Sequence, residues 1–143
     1  RPFIQMLEDY LNNFKKLHSI SISTSITGDE ELISGQLKRT LYRIICEGTG
    51  NAVNHGQCKH INVTLNMEPP NITLSIEDDG KGFDVDKIQS NDSSGLGMRN
   101  MRNLVLTFSG EISIDSEKGK MTRVTVNIPV GGGDMNIMEE SAI

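Results

Sequence analysis

Apolar positions along the chain fall into alternating helical and strand periods. Ile4, Leu7, Leu11, Phe14 and Leu17 recur at spacings of three and four, which predicts an amphipathic helix from about Pro2 to Leu17. Pro2 suits its first turn. Ile20, Ile22, Thr24 and Ile26 then alternate with hydroxyl residues, the period of a half-buried strand that ends at Gly28-Asp29. Glu30 to Gln36 reads as a turn or a short helical piece. From Leu37 to Asn54 the helical period returns, with Leu37, Leu41, Ile44, Ile45 and Ala52 on one face and Glu47, Asn51, Asn54 and His55 as an adjacent polar strip. Ile61, Val63, Leu65 and Met67 alternate, Pro69-Pro70-Asn71 turns the chain, and Ile72, Leu74 and Ile76 alternate again. Val85 to Ser94 is polar and lacks the apolar residues to pack itself, which predicts a mobile lid between two glycine motifs. Leu96, Met98, Met101, Leu104, Val105 and Phe108 predict a further helix that Ser109-Gly110 terminates. Ile112 and Ile114, then Val124, Val126 and Ile128, supply two last strands, and Pro129 closes the second. Residues 131–143, opening on Gly131-Gly132-Gly133, read as a flexible tail, either a recognition peptide or an expression remnant. The order predicts an α/β protein, a two-layer sandwich of an about five-stranded mixed sheet with three main helices on one face, because the strands alternate apolar with Ser, Thr and Asn.

Length and charge narrow the function. At 143 residues the chain is one domain by length, large enough to bury a core without staples. The net charge of -5, without a basic cluster, argues against a nucleic-acid partner. A nucleotide remains compatible, since magnesium, glycine amides and helix ends hold phosphates without many lysines. Cys46 and Cys58 lack metal-type spacing and are read as reduced thiols in a cytoplasmic domain. There is no apolar run of membrane-span length and no signal peptide, so this fragment is expected to have no direct membrane contact. Because the sequence begins at Arg1, a longer and even membrane-anchored parent is expected.

Three stretches carry candidate chemistry. In Glu77-Asp78-Asp79-Gly80-Lys81-Gly82-Phe83-Asp84, a fixed anion sits beside two positions without Cβ, where a flat ligand can be approached closely. A hairpin would need only one Asp-Gly step. Glu47 and Asn51 lie one helical turn apart, and Gly48 and Gly50 each cost a helix about 1 kcal/mol unless something must come near. Gly95-Leu96-Gly97-Met98 frees backbone N–H groups at a helix start, where the dipole favours anions. Ordinary readings stand beside these. His55 and His60 are more often helix-end and strand-edge residues, Met98 and Met101 are core filler before they are a binding box, Thr122 is a strand residue by default, and Lys118 and Lys120 are solvated turn charges.

Together, in this order, the three stretches resemble the nucleotide pocket of the Bergerat-fold ATPases, the class of gyrase, heat-shock chaperones, histidine kinases and mismatch-repair proteins. Leu41 to His55 is similar to the N box of sensor histidine kinases, Glu77 to Asp84 to their first glycine box, and Gly95 to Arg102 to their second. Gly110 to Ser116 with Thr122 to Pro129 resembles their closing hairpin. The likeness runs from about Phe3 to Pro129 and points to the subfamily paired with LuxR/NarL-type response regulators. It implies a catalytic domain over 1–130, with 1–2 the edge of a dimerisation domain, that binds ATP and Mg2+. The γ-phosphoryl group would pass to a histidine on a separate dimerisation domain and then to a response-regulator aspartate, the full-length protein being a homodimer. Asp78 would accept from an amino group of the adenine edge, with Gly80, Gly82 and Phe83 around the ring. Asn51 would hold Mg2+, with Glu47 on a metal-bound water or in proton transfer. Asn54, His55, Gly95, Leu96, Gly97, Met98 and Thr122 would complete the nucleotide contacts.

The departures are specific. Asn54 stands where many relatives carry a basic residue, Gly48-Thr49-Gly50 replaces a more helix-favouring run, and Met121 takes a place usually held by glycine, which bears on Thr122. No Glu-Leu-His-Asp-like acceptor sequence is present, so the chain is expected to bind MgATP without labelling His18, His55 or His60. Two alternatives share the fold. One is an anti-sigma-factor-like serine kinase, which also uses the Asn51-Ala52-Val53-Asn54-His55-Gly56 phrasing; the other is a non-catalytic partner-binding module that has lost ATP.

Overall fold

The computed structural model describes residues 2–82 and 96–130, with side chains in the last helix from residue 99 onward. The expected lid, Phe83, Gly95 and the tail lie outside the described residues. Among these, three helices, one short 3-10 turn and five strands follow one another: α1 (Phe3–His18), β1 (Ser21–Gly28), the 3-10 turn (Glu30–Leu32), α2 (Gly35–Asn54), β2 (His60–Met67), β3 (Asn71–Asp78), α3 (Leu96–Thr107), β4 (Glu111–Glu117) and β5 (Met121–Pro129). The sheet order is β1-β2-β3-β5-β4. Only β1 and β2 run parallel, as their connection through α2 requires; the remaining pairs are antiparallel.

Strand alternation sorts the sheet into two unlike faces. Ile61, Val63, Leu65, Ile72, Leu74, Ile76, Val124, Val126 and Ile128 point to the helices and are buried. The opposite face carries Asn62, Thr64, Thr73, Arg123 and Asn127, all exposed. There Glu77 and Arg123 stand directly opposite on β3 and β5, and Arg123 donates to the Glu77 carboxylate at 2.5 and 3.0 Å. An exposed pair of this kind contributes at most about 1 kcal/mol.

α1 lays Phe3, Leu7 and Leu11 on the core. Its first N–H groups are capped from a distance: Phe3 and Ile4 donate to the Glu30 carboxylate at 2.7 and 3.3 Å. Leu17, expected on the same stripe, is 78% exposed. Six residues beyond Leu11 it is rotated by about 240° around the helix, away from the buried face. Tyr10, Phe14 and Tyr42 instead form an aromatic cluster between α1 and α2. Tyr10 Oη and Thr49 Oγ1 share a hydrogen bond of 2.8 Å. Burial, only partly offset by that bond, pushes the Tyr10 phenol up to about 12, so it stays neutral and ties the two helices as a hydrogen-bonding group.

α2 starts under a Ser34 cap, whose Oγ accepts from Leu37 N–H at 3.2 Å. Its buried stripe runs through Leu37, Leu41, Ile44 and Ile45 and continues through Gly48, Thr49 and Ala52. The two glycines of this helix differ. A Cβ on Gly48 would lie 2.6 Å from Ile76 Cδ1, so Gly48 lets α2 settle onto β3; a Cβ on Gly50 would meet nothing within 4 Å. The close approach that the sequence suggests at Gly48 is therefore an approach of helix to sheet. α3 buries Met101 and Val105, and its end is set by Ser109 in the left-handed region (φ 58°) with Gly110 N–H donating back to Val105 at 3.0 Å. Gly110 itself is required by packing, since a Cβ there would lie 2.7 Å from Ile128.

Both cysteines are free, Cys58 buried and Cys46 half-buried. Burial raises both thiols, Cys58 to about 11 with help from the Asp78 and Asp79 charges. Among the described residues no helix is long and apolar enough to cross a membrane.

The glycine pair gives a stability test. Gly50→Ala is expected to stabilise by about 0.5–1 kcal/mol through helix propensity alone. Gly48→Ala gains the same propensity but must displace the buried Ile76 side chain, an overpacking cost of about 1–3 kcal/mol. Denaturant midpoints should therefore rank Gly50→Ala above wild type and Gly48→Ala below Gly50→Ala.

Candidate functional site

The site forms where the second half of α2, the end of β3 and the start of β5 converge. On β3 the inward positions read Ile72, Leu74, Ile76 and Asp78, so the apolar series ends in a carboxylate on the helix-covered face. Asp78 is 6% exposed. In register it stands between Ile61 of β2 and Thr122 of β5. Its Oδ1 accepts from Gly80 N–H at 2.8 Å. Burial raises the Asp78 carboxyl above the usual range; the Gly80 N–H opposes this, and the Asp79 and Glu77 charges add to it. Among the described residues no hydrogen bond reaches Oδ2. A charged acceptor is thus presented in a mostly apolar wall.

Backbone interlocking holds the turn that follows. Lys81 N–H donates to the Gly56 carbonyl at 2.7 Å, just past the end of α2. A Cβ on Gly80 would lie 2.6 Å from that same carbonyl and 2.8 Å from Asp78 Oδ1, and one on Gly56 would lie 2.7 Å from the Ala52 carbonyl. On the other side, Gly119 N–H donates to the Lys81 carbonyl. Gly82, at φ 66°, is pressed against the carbonyls of Glu117 and Met121 in the β4–β5 turn. Gly80 and Gly82 therefore serve backbone-to-backbone contacts among the described residues, wedging the turn between α2 and the closing hairpin.

Asp79 is the clamp on the third side. Its Oδ1 accepts from Lys59 and His60 N–H at 2.8 and 3.0 Å, which ties the end of β3 to the start of β2. Slight burial pushes the Asp79 carboxyl up, but those two N–H groups and the neighbouring His60 outweigh it and hold the group below the usual range. Sequence reasoning singled out neither Asp79 nor, as a packing element, Gly56; the only available signal was a second acid after Asp78 and a glycine just after the polar helix strip.

Of the remaining predicted residues, Glu47 and Asn51 lie half-buried one turn apart on α2, and the backbone carbonyl of Asn51 accepts from His55 and Gly56 N–H at 2.9 and 3.1 Å. Asn54 and His55 are exposed at the helix end. Thr122 is buried beside Asp78, its Oγ1 3.0 Å from Ser116 Oγ, despite Met121 in the preceding position. Leu96, Gly97 and Met98 open α3, which packs on α2. Phe83 and Gly95 belong to the undescribed stretch between. His60 is exposed and bonded to Ser21. Among the described residues no group of three or more His, Cys, Asp or Glu is placed to hold a metal. On the polar strip of α2, Glu47 carries a carboxylate and Asn51 an amide, hard oxygen ligands of the kind Mg2+ takes when water and phosphate supply the rest.

Comparison with known proteins agrees with this geometry. Residues 36–132 match the family model described as histidine kinase-, DNA gyrase B-, and HSP90-like ATPase. The chain is 26% identical over 130 residues to the signal transduction histidine-protein kinase/phosphatase DegS of Bacillus subtilis (strain 168), covering 91% of this chain and 33% of that protein. It is 27% identical over 124 residues to the sensor histidine kinase LiaS of the same organism, covering 87% of this chain and 33% of LiaS. It thus spans about a third of the length of these curated relatives. Among solved structures, the histidine kinase domain of the Erythrobacter litoralis EL346 blue-light activated histidine kinase superposes with a TM-score of 0.73 at 19% identity, covering 90% of this chain and 61% of that one. The Acinetobacter baumannii histidine kinase AdeS gives 0.68 at 16%, covering 90% and 63%. With the three helices on one face of the five-stranded mixed sheet and the wedged Asp78 turn, the match over most of its length makes this chain a member of the histidine kinase-, DNA gyrase B- and HSP90-like ATPase family.

Proposed function

We propose that this chain is the MgATP-binding catalytic domain of a sensor histidine kinase. In this reading it donates a γ-phosphoryl group to a histidine on a separate dimerisation domain, for relay to a response-regulator aspartate of the LuxR/NarL-paired type. The observation that carries it is the Asp78 carboxylate, buried at the end of an apolar strand face, with one oxygen fixed by Gly80 and the other without a hydrogen bond among the described residues. Such an acceptor suits the amino group of adenine and repels the carbonyl that guanine presents in its place. Its partners in the wall are Thr122, directly opposite, and the Gly56 backbone.

Phosphoryl transfer asks a protein mainly for positioning and charge neutralisation. Here α2 would supply the first of these through Asn51 and Glu47, which offer oxygen donors to a magnesium ion and its water. The ion, when bound, would offset the charge of the phosphates. The start of α3, Leu96 to Met98, would offer backbone N–H groups and the positive end of a helix to the same phosphates. The nucleophile would come from outside the chain. The chain would act in the cytoplasm, either alone in a soluble kinase or below a membrane anchor, and the full-length protein would be a homodimer.

Calorimetric titration with a non-hydrolysable ATP analogue and Mg2+ tests the pocket. Asp78→Asn keeps the shape, but while the amide oxygen stays on Gly80 N–H its NH2 faces the amino group of the base, donor against donor. A charged hydrogen bond of about 1.5–3 kcal/mol is lost, which is roughly a 10- to 100-fold fall in affinity. Thermal stability at neutral pH should not fall, because the variant no longer buries a charge. Equal affinity of wild type and variant, or of adenine and guanine analogues, would remove Asp78 from base recognition.

Asn51→Ala should abolish most of the gain in affinity that Mg2+ brings, while leaving the weaker Mg2+-free binding intact. Unchanged Mg2+ dependence would assign the metal to other groups.

The raised Asp78 carboxyl also sets a pH dependence. The folded-state value lies above the unfolded value of 3.8. Ionised Asp78 therefore costs stability above that window, and protonation on acidification relieves the cost. Nucleotide affinity follows the opposite sign, full above the folded value and falling as pH drops through it. Titrations between neutral and mildly acidic pH should show affinity falling before the protein unfolds, and Asp78→Asn should lose that slope.

A further inference from the structure

The topology gathers several chain ends along one edge of the sheet. Gly28 closes β1 beside Met67 at the close of β2, and Asn71 opens β3 beside Pro129 at the end of β5. Val130 N–H donates to the Pro70 carbonyl at 2.7 Å. The starts of α1 and α2 belong to the same edge, because Glu30, just past β1, holds the Phe3 and Ile4 N–H groups and lies 3.8 Å from Lys38 Nζ.

Between those two helix starts lies a cleft of about 380 Å3. Phe3, Met6 and Tyr42 give it apolar surface, and Lys38, Arg39 and Arg43 line it with positive charge. Met6 is 39% exposed there. Arg39 and Arg43, one turn apart on α2, are exposed and make no ion pair among the described residues. Three cations around an apolar cleft, in a chain of net charge -5, select an acidic ligand with apolar anchors.

The sequence that leaves β5 at this edge has that composition. After Gly131-Gly132-Gly133 comes Asp134-Met135-Asn136-Ile137-Met138-Glu139-Glu140, with acids, large apolar residues and no base. The path from β5 across β3 and β2 to β1 is three strand spacings, about 14 Å at ~4.8 Å each, and the helical layer lies about 10 Å above the sheet. Residues 131–138, fully extended, reach roughly 26 Å.

We propose that the segment Asp134 to Glu140 is an intramolecular ligand of this cleft, with Met135 and Met138 against Phe3, Met6 and Tyr42, and Glu139 and Glu140 against Arg39 and Arg43. Methionine suits such a seat because its unbranched thioether adapts to irregular apolar surface. The charges give the segment its orientation more than its affinity.

Methyl-labelled methionine NMR of the full chain tests this, with Met6 reporting on the cleft and the buried Met67 reporting on the fold. Glu139→Lys with Glu140→Lys should move the Met6 resonance and leave Met67 in place. Arg39→Glu with Arg43→Glu should also move it. The fourfold charge exchange should bring Met6 back towards its original position. A Met6 resonance indifferent to the tail variants would overturn the proposal. So would a Met6 shift that grows with protein concentration, which would seat a second copy in the cleft, or a fourfold variant that fails to restore it.

Discussion

A carboxylate buried at the end of an apolar strand face has to be satisfied by whatever borders it, because an unpaired buried charge is far more costly than a buried methyl group. At Asp78 the border is backbone. The Gly80 N–H fixes one oxygen, and Gly80, having no Cβ, lets the Gly56 carbonyl pack against it. Gly56 in turn is where it is because, as α2 closes at Asn54, the Asn51 carbonyl takes the His55 and Gly56 N–H groups in succession. The helix end, the strand end and the closing hairpin are thus one mechanical unit around a single anion. Moving any of them would strand the charge.

How much of this was legible in the sequence depends on range. The strands, and the helices apart from their last turns, are local periodic patterns, and Leu7, Leu11, Leu41, Ile44, Ile76 and Val126 sit where their spacing put them. Leu17 broke the pattern because a spacing of three, repeated, walks off a helix face. The inward placement of Asp78 was legible for a related reason: a charge appears where the alternation demands an apolar residue. By contrast, the Asp79 clamp joins residues 19 and 20 apart in sequence, and Gly80 meets Gly56 across a whole strand pair. Such contacts leave no period. Glycine is especially ambiguous, since Gly48, Gly50 and Gly82 look alike in sequence and yet one admits a sheet, one faces open space and one carries a left-handed turn.

The candidate site residues also differ in what supports them. Thr122 is held by its register opposite Asp78 and by Ser116, with Met121 as its chain neighbour. Glu47 and Asn51 depend instead on how α2 is seated. That seat is set by Gly48 against Ile76 on one side and by the Tyr10 to Thr49 bond on the other. Thr49 is fully buried two residues before Asn51, so α1, although remote from the Asp78 turn, is one of the supports of the polar strip.

The sheet ends on β4, and there the alternation that places Ile112 and Ile114 towards α3 leaves Glu111, Asp115 and Glu117 on the other face, all exposed. An outer strand offers a row of unused peptide groups to any passing chain. Two copies meeting edge to edge along β4 would bring these acids into one crowded ladder, and like charges set opposite each other weaken strand pairing. The same acidic balance that disfavours nucleic acid therefore also works as a colloidal safeguard, stopping the sheet from growing from one molecule into the next.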